Sequence, residues 1–344
     1  ERGDYGLQVF ALFVNLQSAG DDPFARCMEM ADTFYRELSA YPDRIGIVRT
    51  YEDIEKNWKR GRMSALLSIE EGGTCRGNLA FLRDFYRLGV RMMTLTWNYP
   101  NELAYPNRFS RLPDGRGRFE AETEKGLTET GIAFVEEMDR LGMIIDVSHL
   151  GDKGIWDVLE RAKGPVVASH SNARALASHP RNLTDDMIRR LSEKGGVMGI
   201  NYCAAFLEDF GPEEKEISRI SRMVEHMKHI RNVGGIGCIG LGSDFDGISC
   251  PLEMENAAAL PRLAHPIRGN EHCMHINKIS AKMQDGCDAD QACRELSPYY
   301  DVIRHENNAF VGTTVELVPK GCNKAVGIAA VCRSFGIEWE DTVV

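Results

Sequence analysis

Two short β-branched runs, Met143–His149 and Pro165–His170, each follow a glycine and each end in Ser-His. A roughly helix-length segment separates them. The pattern predicts two parallel strands joined by a crossover helix, which brings both carboxyl ends, each with an imidazole, to the same face. The mouth of a barrel built this way suits a metal site. One apolar run ending in histidine would carry little weight, since most such histidines are satisfied structural residues. Two in consecutive βα units put the ligand reading level with the structural one.

The rest of the chain keeps the same rhythm. Strands are predicted at Leu7–Val14, Ser64–Glu70, Arg91–Thr96, the two His-ending runs, Gly196–Tyr202 and Cys238–Asp244. Helices are predicted at Phe24–Leu38, Leu79–Leu88 with Gly89 as its cap, Thr128–Leu141 before Gly142, Ser171–Ala177, Thr184–Lys194 and Ile217–Arg231. A polar loop from Asn98 to about Gly117 is long enough to be functional. Alternation of this kind means a parallel α/β fold, either doubly wound or a barrel. No G-x-G-x-x-G follows any strand, which disfavours the nucleotide-binding sheet. Strand after strand ends in a polar residue: Glu70, Thr96, His149, His170, Asn201 and Asp244. The expected fold is therefore a (β/α)8 TIM-type barrel of the metal-dependent hydrolase kind, one strand short, with the first strand expected to lie before Glu1.

A formal charge of -10 over 344 residues, without a basic stripe, argues against a nucleic-acid partner. No apolar run approaches the length of a membrane span. Ten scattered cysteines with no C-x-x-C pair read as reduced thiols of a cytoplasmic protein.

Glu70, His149, His170 and Asp244 supply two carboxylates and two imidazoles at four strand ends. Such a set holds divalent zinc, and a bridging carboxylate holds two ions. A metal-held water becomes a nucleophile near neutral pH, and a neighbouring carboxylate can take its proton. The competing reading is polar residues scattered at loop boundaries.

The segments Leu67–Glu70 with Gly72–Gly73, Thr94–Asn98, Ile145–His149, Ala168–Ser171, Arg181–Asp186 and Gly242–Gly247 occur in one order over about Leu7–Leu263. In these the chain resembles the membrane dipeptidase (renal dipeptidase) family of zinc peptidases, peptidase M19. The resemblance implies hydrolysis of a dipeptide substrate at a two-zinc centre. Glu70 would bridge the ions, with Glu71 the alternative, and His149 and His170 would bind the second. Arg181 would hold the substrate's terminal carboxylate, which suits a bidentate guanidinium. Asp244 would meet the amino group or act in proton transfer. Asn201 or Tyr202 would line the pocket. A homodimer is left open. Two departures stand out. The family's first strand ends in a His-x-Asp pair that completes the first zinc site, and none precedes Leu7 here. Trp97 stands where some members carry a histidine that helps polarise the scissile carbonyl. It can donate an N–H or shape the pocket but cannot act as an acid.

The resemblance stops near Leu263, which divides the chain into a dipeptidase-like barrel over 1–265 and an α/β fragment over 266–344. The latter resembles part of a Cof-type haloacid dehalogenase-like phosphatase, with Lys324 at the phosphate-neutralising position. A strand is expected at Thr313–Gly321, a short run at Tyr300–Ile303, and helices ending at Leu296 and Phe335. An atypical barrel-closing extension is the other reading of this tail. Asp244–Ser249 imitates the phosphatase nucleophile motif, so a phosphatase using Asp244 and Lys324 is a rival function. A metal-free barrel acting as a binding module is another. His226 and His229, at i, i+3 on a charged helix, are expected to be solvated. His272, Cys273 and His275 lack a partner pair, Met92 and Met93 are expected to fill core, and His179 is a pocket-lining candidate.

Overall fold

The computed structural model describes residues 6–18, 22–111, 117–211 and 213–263, together with the backbone of three strands at 279–282, 300–308 and 312–319. Lys324, His272, Cys273, His275 and the two tail helices lie outside the described residues.

In chain order the elements are β1 (Leu7–Phe13), α1 (Pro23–Ala40), β2 (Ile45–Val48), α2 (Tyr51–Lys59), β3 (Met63–Glu70), α3 (Leu79–Leu88), β4 (Met92–Thr94), β5 (Arg108–Arg111) and β6 (Gly117–Glu120). They continue with α4 (Glu129–Leu141), β7 (Ile144–Asp146), α5 (Asp152–Arg161), β8 (Val166–Ala168), α6 (Asp185–Glu193), β9 (Val197–Ile200), α7 (Ala204–Leu207), α8 (Ile220–Gly234) and β10 (Ile239–Leu241). Strands β11 (Ile279–Lys282), β12 (Tyr300–Asn308) and β13 (Gly312–Pro319) follow. Two compact units, Glu1–Pro266 and Ile267–Val344, divide the chain.

In the first unit an eight-stranded parallel sheet runs β1–β3–β4–β7–β8–β9–β10, with β2 alongside the first half of β3. It curls as an α/β half-barrel. Because every pairing in it is parallel, the strand ends that carry polar residues share one rim. The interior is apolar: Leu67, Ile69, Met93, Leu95, Val166 and Ile200 are fully buried. Met92 and Met93 are buried there as well. The helices start and stop on local chemistry. Asp22, Asn78, Thr128 and Thr184 each accept a backbone N–H of the first turn. Gly89 and Gly142 close α3 and α4 at φ 115° and 72°, a region costly for any residue with a Cβ.

The ends of β8, β9 and β10 meet around the Ser169 carbonyl. A Cβ on Gly199 would lie 2.1 Å from that oxygen, and one on Gly242 1.9 Å from it. Glycine at both positions lets three strand ends close on the residue that precedes His170.

The structure departs from the sequence expectations in four places. β2 and α2 were not expected. The 98–117 loop carries half of an exposed antiparallel hairpin, β5 and β6. Residues 171–177 are not helical, because their backbone pairs with 182–183 instead: the Asn172 carbonyl accepts the Leu183 N–H and the Leu183 carbonyl the Arg174 N–H, both at 2.8 Å, and Asn182 Oδ1 accepts the Asn172 N–H at 3.2 Å. Finally, His226 is not solvated. It is fully buried on α8, accepting from the Ala173 N–H (3.1 Å) and donating to the Leu207 carbonyl (3.0 Å). His229 reaches Asp185 Oδ1 at 2.7 Å and is partly exposed.

Burial lowers the His226 pKa from 6.5 to about 4. The unfolded chain therefore takes up this proton first as pH falls. Stability is expected to drop between pH 6.5 and 4 by about 3 kcal/mol from this residue alone. Urea denaturation of His226→Gln should show a flatter acid limb than the parent, and an unchanged slope over that window would refute the assignment.

The second unit contains an antiparallel sheet in the order β11–β13–β12.

Candidate metal centre

At the rim, Glu70 ends β3, His149 follows β7 by three residues, and His170 follows β8 by two. Their ligand atoms converge. The two Nε2 atoms are 2.8 Å apart, and Glu70 Oε1 lies 3.4 Å from His149 Nε2 and 3.8 Å from His170 Nε2. Among the described residues these three form the group that can hold a metal ion.

The protonation of the rings follows from their other nitrogens. His149 Nδ1 lies 2.9 Å from Asn98 Oδ1, an oxygen that only accepts, so Nδ1 carries the proton. His170 Nδ1 is 2.7 Å from Ser169 Oγ, whose own proton goes to Asp146 Oδ2 at 2.6 Å, so this Nδ1 is also the donor. In the neutral rings both Nε2 atoms are then bare. Burial, with Arg181 and His170 adding to it, pushes the His149 pKa well below its ordinary range and keeps the ring neutral. Two bare lone pairs 2.8 Å apart repel unless a cation lies between them. A tetrahedral zinc site spaces its ligand atoms about 3.3 Å apart. The observed 2.8–3.8 Å triangle brackets that edge. The donor set fits a divalent metal.

Glu71 faces elsewhere. It accepts from Gly73 N (2.7 Å), Trp97 N (3.1 Å) and Asn101 Nδ2 (2.5 Å), which consumes its oxygens as a brace for the rim. Burial raises the pKa of both Glu70 and Glu71. For Glu70, His170 and Arg181 oppose that rise, while Asp244 and Asp146 add to it. Glu71, His149 and Asp244 hold φ values of 116°, 71° and 58°, a left-handed conformation that non-glycine residues adopt at a cost and that gathers at working sites.

Arg181 is buried beside this cluster at 5% exposure, yet its Nε and Nη1 have no hydrogen-bond partner. Its guanidinium lies 5.3 Å from the Phe206 ring centroid, and burial lowers its pKa although Asp244, Glu70 and Asp146 counter. His179 supports it from behind: its Nδ1 accepts the Arg181 backbone N–H at 3.1 Å, and its ring sits between Phe119 and Phe206. Asp244 is reached by Asn201 Nδ2 at 3.0 Å. Tyr202 is fully buried with its ring on Phe245 and its hydroxyl unpartnered. Trp97 stands over His149 with 6.2 Å between ring centroids.

Asp146 was not singled out in the sequence. It is fully buried and accepts four hydrogen bonds. The signal was present, as an acid closing an otherwise apolar run three residues before His149.

The family profile for membrane dipeptidase (peptidase family M19) matches residues 1–281. An uncharacterised dipeptidase of Schizosaccharomyces pombe is 32% identical over 273 residues, covering 76% of this chain and 63% of that relative. A dipeptidase described as a metallopeptidase of family M19 superposes with a TM-score of 0.69 at 28% identity, covering 78% of this chain and 80% of that one. A metallopeptidase from Rhodobacter sphaeroides, solved with a phosphinate mimic of the dipeptide L-Ala-D-Ala, gives 0.67 at 26% identity, covering 78% and 81%. No helix among the described residues is long and apolar enough to cross a membrane. With a barrel-type sheet, a metal-competent cluster on its rim and a family match over 281 residues, the chain belongs to the membrane dipeptidase family of metallopeptidases, M19.

Proposed function

We propose that this chain hydrolyses dipeptides with zinc held by Glu70, His149 and His170. The observation that carries the reading is the meeting of two bare imidazole nitrogens and a carboxylate oxygen within 3.8 Å. A zinc ion bound there supplies Lewis-acid polarisation of the peptide carbonyl and a water acidic enough to attack it. The remaining work belongs to the chain. Arg181, whose buried guanidinium leaves Nε and Nη1 without a partner, receives the terminal carboxylate of the substrate. Asp244, oriented by Asn201, meets the substrate amino group or takes the proton of the attacking water. A cation for one terminus and an anion for the other favour dipeptides over long chains. The dipeptide mimic bound by the Rhodobacter metallopeptidase agrees with that length. Glu70 would bridge to a further ion, whose remaining ligands are not among Glu70, His149 and His170.

The test compares a free dipeptide with its N-acetyl and C-amide forms and with tripeptides, using zinc-loaded protein. Hydrolysis confined to the free dipeptide is expected. Equal turnover of the blocked forms would overturn the two-ended clamp.

Phe13, 40% exposed at the end of β1 and opposite Glu70 in register, packs edge-on against Trp97 at 5.0 Å, and Trp97 against Tyr99 at 5.6 Å. This aromatic wall beside the metal cluster favours an apolar substrate side chain. Trp97→Ala is expected to lower kcat/KM for Leu- or Phe-containing dipeptides about 30-fold, from about 2 kcal/mol of lost apolar contact, and to change Gly-Gly little. A uniform loss across the series would show that Trp97 acts on the chemistry instead.

A further inference from the structure

We infer that Asp146 is a positioning residue that sets the tautomer of His170 through the Ser169 hydroxyl. The inference rests on the reading of His170 as a metal ligand only for its consequence. The relay itself is carried by hydrogen-bond geometry.

Asp146 ends β7 and has no exposure. Its Oδ1 accepts the backbone N–H groups of Ser148 (3.0 Å) and Ser169 (2.9 Å). Its Oδ2 accepts the hydroxyls of Thr94 and Ser169, both at 2.6 Å. An ionised carboxylate has no proton to give, so both hydroxyls point toward it. Ser169 owns one proton, and Asp146 takes it. The remaining lone pairs of Ser169 Oγ face His170 Nδ1 at 2.7 Å and Ser148 Oγ at 3.2 Å. Of the two neutral tautomers of His170 only Nδ1–H satisfies that contact, and it leaves Nε2 bare toward His149 and Glu70. Ser148 closes the network: its Oγ accepts the His170 backbone N–H at 3.1 Å, fixing the ring's origin as the relay fixes its proton. A metal-ligating imidazole needs such a partner on its far nitrogen. Here the partner is a carboxylate acting through a hydroxyl.

The direction of the relay can be reversed by one atom. In Asp146→Asn the side-chain oxygen must stay on the Ser148 and Ser169 backbone donors. The amide NH2 then occupies the Oδ2 position and donates to Ser169 Oγ. Ser169 then turns its proton away, and of its two remaining neighbours His170 Nδ1 at 2.7 Å is closer than Ser148 Oγ at 3.2 Å, so the proton goes to His170 and leaves that ring with its own proton on Nε2, where the metal lone pair should be. Removing the hydroxyl in the same background, Asp146→Asn with Ser169→Ala, breaks the forced contact and frees His170 to return to the Nδ1–H form. A second lesion that restores function is not the behaviour of a merely structural acid.

The experiment is 15N-edited NMR of the imidazoles in the full chain without metal, followed by zinc titration calorimetry. The parent is expected to show His170 protonated at Nδ1, and Asp146→Asn to show it at Nε2 with zinc affinity reduced 10- to 100-fold. The double variant should recover at least part of the Nδ1–H signal and of the affinity. Ser169→Ala alone leaves all the backbone bonds of Asp146 in place and covers the case in which Asp146→Asn does not fold. It is expected to give a mixture of tautomers. A pure Nδ1–H signal in Ser169→Ala or in Asp146→Asn would overturn the relay. A parent protein that shows the Nδ1–H tautomer but takes up no zinc would instead overturn the metal reading and leave the relay standing.

Discussion

His149→Gly and His170→Ala are each expected to abolish tight zinc binding and to lower dipeptide hydrolysis by at least about 10³-fold, since metal polarisation supplies several kcal/mol to the transition state. At 149 the backbone sits at φ 71°, so glycine removes the ring together with the strain that the histidine Cβ carries there, and alanine, which keeps that Cβ, serves as its control. Thermal denaturation separates site loss from fold loss. Zinc at a hundredfold excess over its Kd should stabilise the parent by about 2.7 kcal/mol and the variants not at all. Without zinc, the variants should melt at or above the parent temperature, because each removes one of two bare nitrogens 2.8 Å apart. Full hydrolysis and a preserved zinc shift in His170→Ala would remove the cluster from the mechanism.

What made this cluster legible in the sequence was position. An apolar run that stops at histidine, repeated one βα unit later, leaves few places for the two imidazoles except the rim of a parallel sheet, and Glu70 ends a strand of the same sheet. The glycine stops after α3 and α4 were equally readable, since local sterics decide them. Other features were decided by partners far along the chain. β2 is a four-residue strand containing Gly46, too short for a period, and it exists because β3 offers it an edge. Residues 171–177 carry apolar spacing that mimics a helix, yet their backbone bridges to Leu183 ten residues on and leaves the helical ladder unmade. His226 has a charged sequence neighbourhood, but its ring lies on the face of α8 that must satisfy the Ala173 N–H and the Leu207 carbonyl. Asp146 was hidden for the same reason. A buried carboxylate with four donors looks in sequence like an ordinary polar break in a strand.

Arg181 gives the prediction with the least conventional sign. A buried guanidinium with Nε and Nη1 unpartnered costs the free protein several kcal/mol, and the Phe206 face recovers only part of that. In Arg181→Met the chain keeps a side chain of similar reach without the uncompensated charge. Its melting temperature is therefore expected to equal or exceed that of the parent, the reverse of what deleting a buried structural arginine does. Catalysis should move the other way. Loss of a charge-assisted contact in a buried site is worth about 3–4 kcal/mol, so kcat/KM for a free dipeptide should fall roughly 10²- to 10³-fold, chiefly through KM. The C-amide of the same dipeptide should be an equally poor substrate for both proteins, because it has no carboxylate for Arg181 to hold. Arg181→Lys should recover little, since an ammonium cannot reproduce the planar fork. The dipeptide should raise the melting temperature of the parent and not of Arg181→Met. If Arg181→Met instead loses more than about 2 kcal/mol of stability and keeps its kcat/KM, the guanidinium belongs to the scaffold, and the carboxyl end of the substrate is held elsewhere.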